Sequence, residues 1–596
     1  MTYRWMLRTL DDPGVVAQLQ PRLNDLPEAL TRALALRDVT SFEGARDFFR
    51  ASRSDLHDPL DMADMPRAAK RVASAIAEGE TVLVYGDYDV DGTTATAMCT
   101  HFLRQQDVST SFFIPDRYED GYGLCTRGID AAVERGASLI IALDCGITAH
   151  AEAEYAREQG LDLIICDHHT PKDTLPNAYA VLDPKRDDCA YPFTELSGAG
   201  VGFKLLQATQ QVRGAAEDRV FDYLDLLGIS IASDIVPMYG ENRILMQEGL
   251  AALQSTERLG LRALAEAADL DLASVKTTGN IVFTIGPRIN AAGRMAHAHK
   301  AVTLMLEDDP ATAREHAEEL EQLNKERRSL DERIRKEATE QAERQITART
   351  AHALVLYDPD WHLGVIGIVA SRIVEQFYKP TIMLTRNGDV VKGSARSISG
   401  VNIYRALTDC EDVLTQFGGH DYAAGMSLPE ANVSKLRDRF NEAIAERITP
   451  ELLTPTIKVD AHVDLETIGT ADDRFWAVLQ QFGPFGPSNP RPVFHLGPCR
   501  VAKSPRTVGR DDAHLKFTVA PANADAPQVD VIGFGQGDKL DLLRESRRSG
   551  TPIELVAKVD ENTWRGQTSI QLKLSDVCLY EGDSSLRAAS AQAAAQ

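Results

Sequence analysis

The sequence predicts an α/β protein: a domain with a mostly parallel sheet, a long connecting helix, a second α/β domain and a C-terminal OB-like β-barrel. Three observations carry this prediction. From about residue 80, apolar runs of strand length alternate with helical stretches, the pattern of a sheet covered on both faces. Residues 311–347 contain no Gly or Pro and are rich in Glu, Arg, Lys and Ala. Late in the chain, short β-like runs follow one another with turn signals between them.

In chain order, residues 1–75 read as a helical lead-in with polar breaks. The first α/β domain is placed at 76–300. Its strands are TVLVYGD, followed by a helix from Thr93, then SFFIPD, ASLIIALDCG, LDLIICDHH and AYAVLDP; helices continue from about 198 to 275. Within 301–349, Leu320, Leu323, Leu330 and Ile334 mark a narrow stripe on one helix of about 50 Å. That stripe is short and impure, so a strut between domains is expected rather than a coiled coil. The second α/β domain, 350–450, runs through HALVLYD, the helix GVIGIVASRIVEQF, PTIMLT, VVKGSARS, FGGHDYAAG and a helix to about 447. The Gly/Pro-rich joint FGPFGPSNPRPVF lies in 451–580, and HLKFTVA, QVDVIGFG, IELVAKVDE and TSIQLKLSDV supply the barrel strands. The tail, 581–596, is low-complexity and expected to be disordered.

A length of 596 residues implies about three to five domains. No run of about 18 apolar residues occurs, so no membrane span is expected. The opening MTYRWMLRTLDDPG lacks the apolar core of a secretory signal. The eight cysteines form no C-x-x-C pair, against a zinc ribbon or a disulfide framework, and a reducing cytoplasm fits. The net charge of −24, taken alone, counts against a polyanion partner. Net charge does not set local potential, however, and a basic groove can sit on an acidic body.

YGDYDVDG places Asp87, Asp89 and Asp91 directly after an apolar strand. Like charges this close raise one another's pKa unless a cation lies between them. LIIALDCG ends in Asp144, LIICDHH ends in Asp167, His168 and His169, and ISIASDIVP offers Asp234. A single strand-end Asp is usually a helix cap or turn former. Four such groups at successive strand ends instead converge on the crevice where open α/β sheets bind ligands. Carboxylates with one or two imidazoles suit Mn²⁺ or Mg²⁺ better than zinc, and a cluster this acidic has room for two ions.

DYDVDG (87–92), DHH (167–169) and GPRINAAGR (286–294) resemble the DHH phosphoesterases, specifically the RecJ-type exonucleases that degrade single-stranded DNA 5′→3′. FGGH (417–420) with KGSARS (392–397) resembles the associated DHHA1 domain. The resemblance spans about 80 to 580, so the domains above become DHH domain, connecting helix, DHHA1 domain and OB-like domain. It implies Asp87, Asp89, Asp144, His168 and Asp234 as metal ligands and His169, Arg288, Asp91 and Asp167 as catalytic residues. In that set Asp91 and Asp167 support the site, His169 lies near the scissile phosphate and Arg288 stabilises its charge. The second domain would face the metals and grip the 5′ end. Arg288, Asn290 and Arg294 of GPRINAAGR, Ser394 and Arg396 of KGSARS, and the Gly418 and Gly419 amides with His420 are the phosphate-binding candidates. Arg117 and His362 join them. For the barrel, Phe485, Phe494, Phe517 and Trp564 are stacking candidates, with core packing as their ordinary alternative.

The implied function is two-metal exonucleolytic hydrolysis of single-stranded DNA from the 5′ end to 5′-mononucleotides, in DNA repair and recombination. Implied partners are single-stranded DNA, a single-strand-binding protein and a RecQ-type helicase, with a monomeric, cytoplasmic protein. A DHH phosphoesterase acting on very short oligonucleotides or cyclic dinucleotides would share the metal site. A non-catalytic scaffold is the third possibility, and the intact acidic set counts against it.

Overall fold

The computed structural model describes residues 3–348, 351–469, 474–522, 528–564 and 567–582. It divides into two compact units: Leu56–Val236 with Gly240–Thr454, and Met1–Asp55 with Pro237–Tyr239 and Pro455–Gln596.

The larger unit begins its first sheet with Thr81–Gly86 and Leu139–Leu143, apolar runs buried almost throughout because helices cover both faces. The sheet order is Ser109–Phe113, Thr81–Gly86, Leu139–Leu143, Asp162–Cys166, Ala180–Leu182, all parallel. The first and third strands in sequence are therefore neighbours, and the order reverses between them. Crevices at such a switch point, outside the carboxyl ends, are where these sheets bind ligands. Pairing of Gly86 with Leu143 sets Asp87 and Asp144 side by side at that point.

The apolar stretch before Asp234 is not a strand. Leu224–Ser233 is a helix, and Asp234 follows its last turn. Its residues are buried on nearly every side, so the run shows no helical period and reads like a buried strand. Gly228 allows close helix packing: a Cβ there would lie 3.0 Å from Cα of Gly249 in the neighbouring helix.

The connecting helix, Pro310–Ala348, has 39 residues and is about 58 Å long. Its buried line is Ala313, Ala317, Leu320, Asn324, Asp331, Ile334, Ala338 and Ala342. Half of this line is alanine; Leu320 and Ile334 of the expected stripe lie on it, and Asn324 and Asp331 are polar members. The second sheet runs Gln416–Gly419, Ala423–Leu428, Val390–Arg396, Thr381–Asn387, Leu354–Tyr357, antiparallel except for the last pair.

In the smaller unit, Phe494–Val501 pairs with Ile553–Trp564, which pairs with Gln567–Leu579. Gln567–Leu579 pairs with Val529–Gly533, then His514–Pro521, which pairs back to Phe494–Val501. Phe494 and Phe517 are buried in the core, and Phe485 packs against it, so these three take the packing role. The Trp564 side chain and residues 583–596 of the expected tail lie outside the described residues. The N-terminal strand Arg4–Leu7 pairs in parallel with Thr456–Val459, a pairing between distant segments that no local pattern announces. Among the described residues, no helix is long and apolar enough to cross a membrane.

Candidate active site

Asp87 leaves the first strand with 1% of its surface exposed. Asp89 caps the helix Val90–Arg104, accepting from the Gly92 amide at 3.1 Å. Asp144 follows the third strand in a left-handed conformation, φ 61°, with 3% exposure. One ligand atom each from Asp87, Asp89 and Asp144 lie within 4.8 Å of one another. The same holds for Asp91, His168 and Asp234, and for Asp144, His168 and His169. His168 Nε2 stands 3.3 Å from Asp144 Oδ1 and 3.5 Å from Asp234 Oδ2. Four chain segments thus deliver acidic or imidazole groups to one point.

Among the described residues, Asp87 Oδ1, Asp144 Oδ1, Asp234 Oδ2 and both ring nitrogens of His168 are buried without a hydrogen-bond partner. Buried polar atoms are normally paired, so five orphans at one place fit a cation. The charges agree. Burial, then the neighbouring carboxylates, push Asp87 and Asp144 well above the usual carboxylate range and Asp234 to about 9. Such a set is stable in its ionised form only when positive charge is supplied. Oxygen donors with one or two imidazoles fit Mn²⁺ or Mg²⁺.

Asp91 and Asp167 are occupied differently. Asp91 accepts from the Gly198 and Ala199 amides at 2.7 and 2.9 Å, and from Ser230 Oγ at 2.6 Å. It therefore sits on the N-terminus of the helix Gly198–Arg213, a favourable place for an anion. Gly198 is required here: a Cβ would come within 2.6 Å of the Asp144 Cβ. Asp167 accepts from the Ile147, His168 and His169 amides and from His169 Nδ1 at 2.7 Å. Burial opposes its charge, but the His169 ring and these amides bring Asp167 down to about 2. Burial also opposes the charged form of His169, and the Asp167 bond outweighs it, raising the ring above its ordinary value.

The phosphate candidates divide into groups. Arg117 lies over the Tyr88 ring, 3.8 Å from its centroid. Tyr118 Oη donates to the Arg294 carbonyl at 2.6 Å, and Arg294 Nη1 donates to the Gly364 carbonyl at 3.1 Å. Gly364 admits this approach because a Cβ there would meet Tyr118 Oη at 2.4 Å. His362 caps the same helix, Leu363–Phe377, accepting from Gly364 N through Nδ1. Arg396 Nη1 donates to Ser394 Oγ at 2.9 Å, beside Gly367 of that helix. Asn290 and Arg294 line one cavity. Arg288 is held on one side: Nε is 2.6 Å from Glu321 Oε2 on the connecting helix, and Nη1 donates to the Thr284 carbonyl.

Gly418 and Gly419 do not themselves form a tight turn. They end the edge strand Gln416–Gly419, and the turn follows, with His420 N donating to Ala423 O. Gly419 has φ 148°, and antiparallel pairing extends through it to Ala424. The register nonetheless joins the two motifs: Gly418 pairs with Gly425 and Gly425 with Ser394, while Ala423 pairs with Arg396.

Comparison with known proteins gives the context. Residues 81–231 match the DHH family N-terminal domain, 350–446 the DHHA1 domain and 459–576 the RecJ OB domain. The single-stranded-DNA-specific exonuclease RecJ of Bacillus subtilis is 38% identical over 582 residues, covering 97% of this chain and 71% of that protein. The chain belongs to the RecJ family. Two crystal structures of RecJ from Thermus thermophilus share the architecture. The Mn²⁺ complex superposes with a TM-score of 0.79 at 29% identity, over 97% of this chain and 80% of that one. The Mg²⁺ complex gives 0.74 at 27% identity, over 97% and 79%.

In this RecJ-family chain, sequence reasoning missed three residues beside the centre. Tyr122 Oη donates toward the Asp144 carbonyl and stands 3.2 Å from the His169 ring. Asp183 ends the fifth strand, fully buried, and burial pushes it to about 7. Lys185 acts electrostatically on His168 and Asp234. Asp183 carried the same signal as the others, an Asp closing the apolar strand of AYAVLDP. Tyr122 and Lys185 lie in polar loops and carried none.

Proposed function

We propose that this protein is a metal-dependent exonuclease that degrades single-stranded DNA from the 5′ end to 5′-mononucleotides, acting in DNA repair and recombination. The observation that carries this reading is the set of unpartnered buried donor atoms at the switch point, within a domain that also holds an arginine group. Asp87, Asp89, Asp144, His168 and Asp234 would hold two Mn²⁺ or Mg²⁺ ions. Bound there, the ions supply charge neutralisation and an activated water for hydrolysis of the phosphodiester.

The chain's own groups do the rest. Asp91 and Asp167 hold the surrounding backbone and the His169 ring in place. With Nδ1–H donated to Asp167, His169 offers Nε2, 3.2 Å from Tyr122 Oη, to a phosphate oxygen, and its raised pKa favours the protonated, donating form. Arg288, steadied by Glu321, meets the scissile phosphate. Arg117, Arg294, Ser394, Arg396 and the Gly418–His420 hairpin bind the strand and its 5′ phosphate, which sets polarity. The barrel unit adds a surface for single strands. A single-strand-binding protein and a RecQ-type helicase are the proposed partners of a monomeric cytoplasmic enzyme.

Asp167→Asn separates support from ligation. It is expected to lower kcat roughly 10- to 100-fold, the usual effect of removing an orienting carboxylate. Mn²⁺ binding by calorimetry stays near wild type. Without the Asp167 charge, His169 deprotonates at lower pH, so the alkaline limb of the kcat profile moves down. An unmoved profile would reject the assigned role.

The small-substrate reading shares the metal centre, but the OB unit has no use for a dinucleotide. The test is a digestion series with Mn²⁺ or EDTA. The substrates are a 5′-phosphorylated single strand, its 3′-blocked form, its duplex and a two-nucleotide oligomer. Release of mononucleotides from both single strands, with the duplex spared, is expected. Cleavage of the dinucleotide alone would replace the exonuclease reading.

A further inference from the structure

A cavity of about 170 Å³ lies against Ser233, the residue before Asp234 in the chain. Its polar wall is Ser233, Asn290, Arg294 and Arg327, and its apolar wall includes Val282 and Ile368. At ~30 Å³ per water, that volume holds about six waters, room for a phosphate and part of a sugar. Arg327 comes from the connecting helix, which the sequence presents only as a strut. Its Nη2 donates to Asn324 Oδ1 at 2.7 Å, and Asn324 is itself 2% exposed. The guanidinium is therefore aimed by a buried neighbour. Its Nε is buried without a partner among the described residues, and so is Ser233 Oγ. Gly286 keeps Ser233 clear, since a Cβ there would lie 3.0 Å from Ser233 Oγ.

The charged residues that line the cavity are two arginines. Burial brings Arg294 down to about 10, and Arg117 and Arg327 push it the same way. Burial also lowers Arg327; Asp331 on the same helix opposes this, and Arg328, Arg372 and Arg288 add to it. Guanidinium groups with unsatisfied N–H, gathered from separate segments, are stable together when an anion lies among them. The planar fork of Arg matches a phosphate, and the apolar wall matches the attached sugar.

We propose that this cavity is a subsite for one internucleotide phosphate and its sugar, and that Arg327 on the connecting helix binds that phosphate together with Arg294. The proposal rests on the exonuclease reading and adds a third segment to the strand's path. Ser233 in its wall immediately precedes the ligand candidate Asp234 at the end of the helix Leu224–Ser233.

The test uses the full chain in EDTA and 5′-phosphorylated single strands, each with one phosphodiester near the 5′ end replaced by a neutral methylphosphonate. Binding is read by fluorescence anisotropy. In the wild type, one position loses affinity roughly tenfold, the effect of one charge-assisted contact. Arg327→Gln is expected to weaken the unmodified strand by a similar factor and to lose the penalty at that position alone. Arg327→Lys retains part of it. If Arg327→Gln keeps every wild-type penalty, or lowers them all alike with a reduced Tm, the proposal is wrong. If the wild type with Mn²⁺ does not digest the unmodified strand, the exonuclease reading falls first, and this proposal with it.

Discussion

Asp144→Asn is expected to reduce digestion of single strands by a thousandfold or more, on the order of losing a central charge-stabilising group, while raising the thermal stability of the metal-free protein. The two halves come from one feature. Asp144 lies among Asp87, Asp89, Asp91 and Asp234, all of which press on its charge. It also contacts both halves of the cluster, sharing one ligand group with Asp87 and Asp89 and another with His168 and His169. Removing its charge removes the link that holds cations, and removes repulsion where no cation is present. Asn is the right substitution because φ at this position is 61°, a conformation Asn tolerates and Ala does not. Single-turnover digestion with Mn²⁺ and thermal melts in EDTA read the two halves separately. An active variant would remove Asp144 from the metal centre. A variant less stable than wild type in EDTA would show that repulsion is not what burial stores there.

Metal removal should make stability fall as pH rises. In the metal-free fold, Asp87, Asp144 and Asp234 titrate above the unfolded carboxylate value of about 3.9, Asp234 at about 9. Between those values the folded chain binds more protons than the unfolded chain, so the slope of unfolding free energy with pH is negative. Asp167 acts oppositely: held near 2, it adds stability above about 4 that is lost as pH falls toward 2. From pH 5 to pH 9 the acidic centre therefore dominates. Tm in EDTA is expected to drop by roughly ten degrees, several kcal/mol at ~2–4 °C each. Saturating Mn²⁺ should flatten that drop by holding the carboxylates ionised. Asp234→Asn in EDTA should shrink it. A Tm that is flat or rises across this range in EDTA would contradict the raised carboxylates.

The sequence by itself determined the elements whose information is local. Five strand-length runs became five parallel strands; the inner ones are apolar because both faces are buried, whereas Ser109–Phe113 at the sheet edge is exposed to half-buried. The absence of Gly and Pro became one continuous helix. Asp87, Asp144 and Asp167 were legible because each follows an apolar run directly. Only the tertiary structure decided what depends on distant partners. The run before Asp234 is equally apolar as helix or strand, and its neighbouring helices choose. Gly418 and Gly419 permit a turn, but pairing with Ala423–Leu428 keeps them extended. Arg288 is drawn to Glu321, 33 positions away, and Arg4–Leu7 finds its strand more than 440 residues later. The physical reason is common to all of these. Periodicity records how one segment meets water and core, whereas an ion pair, a register or a shared cavity exists only after the chain has brought two segments together.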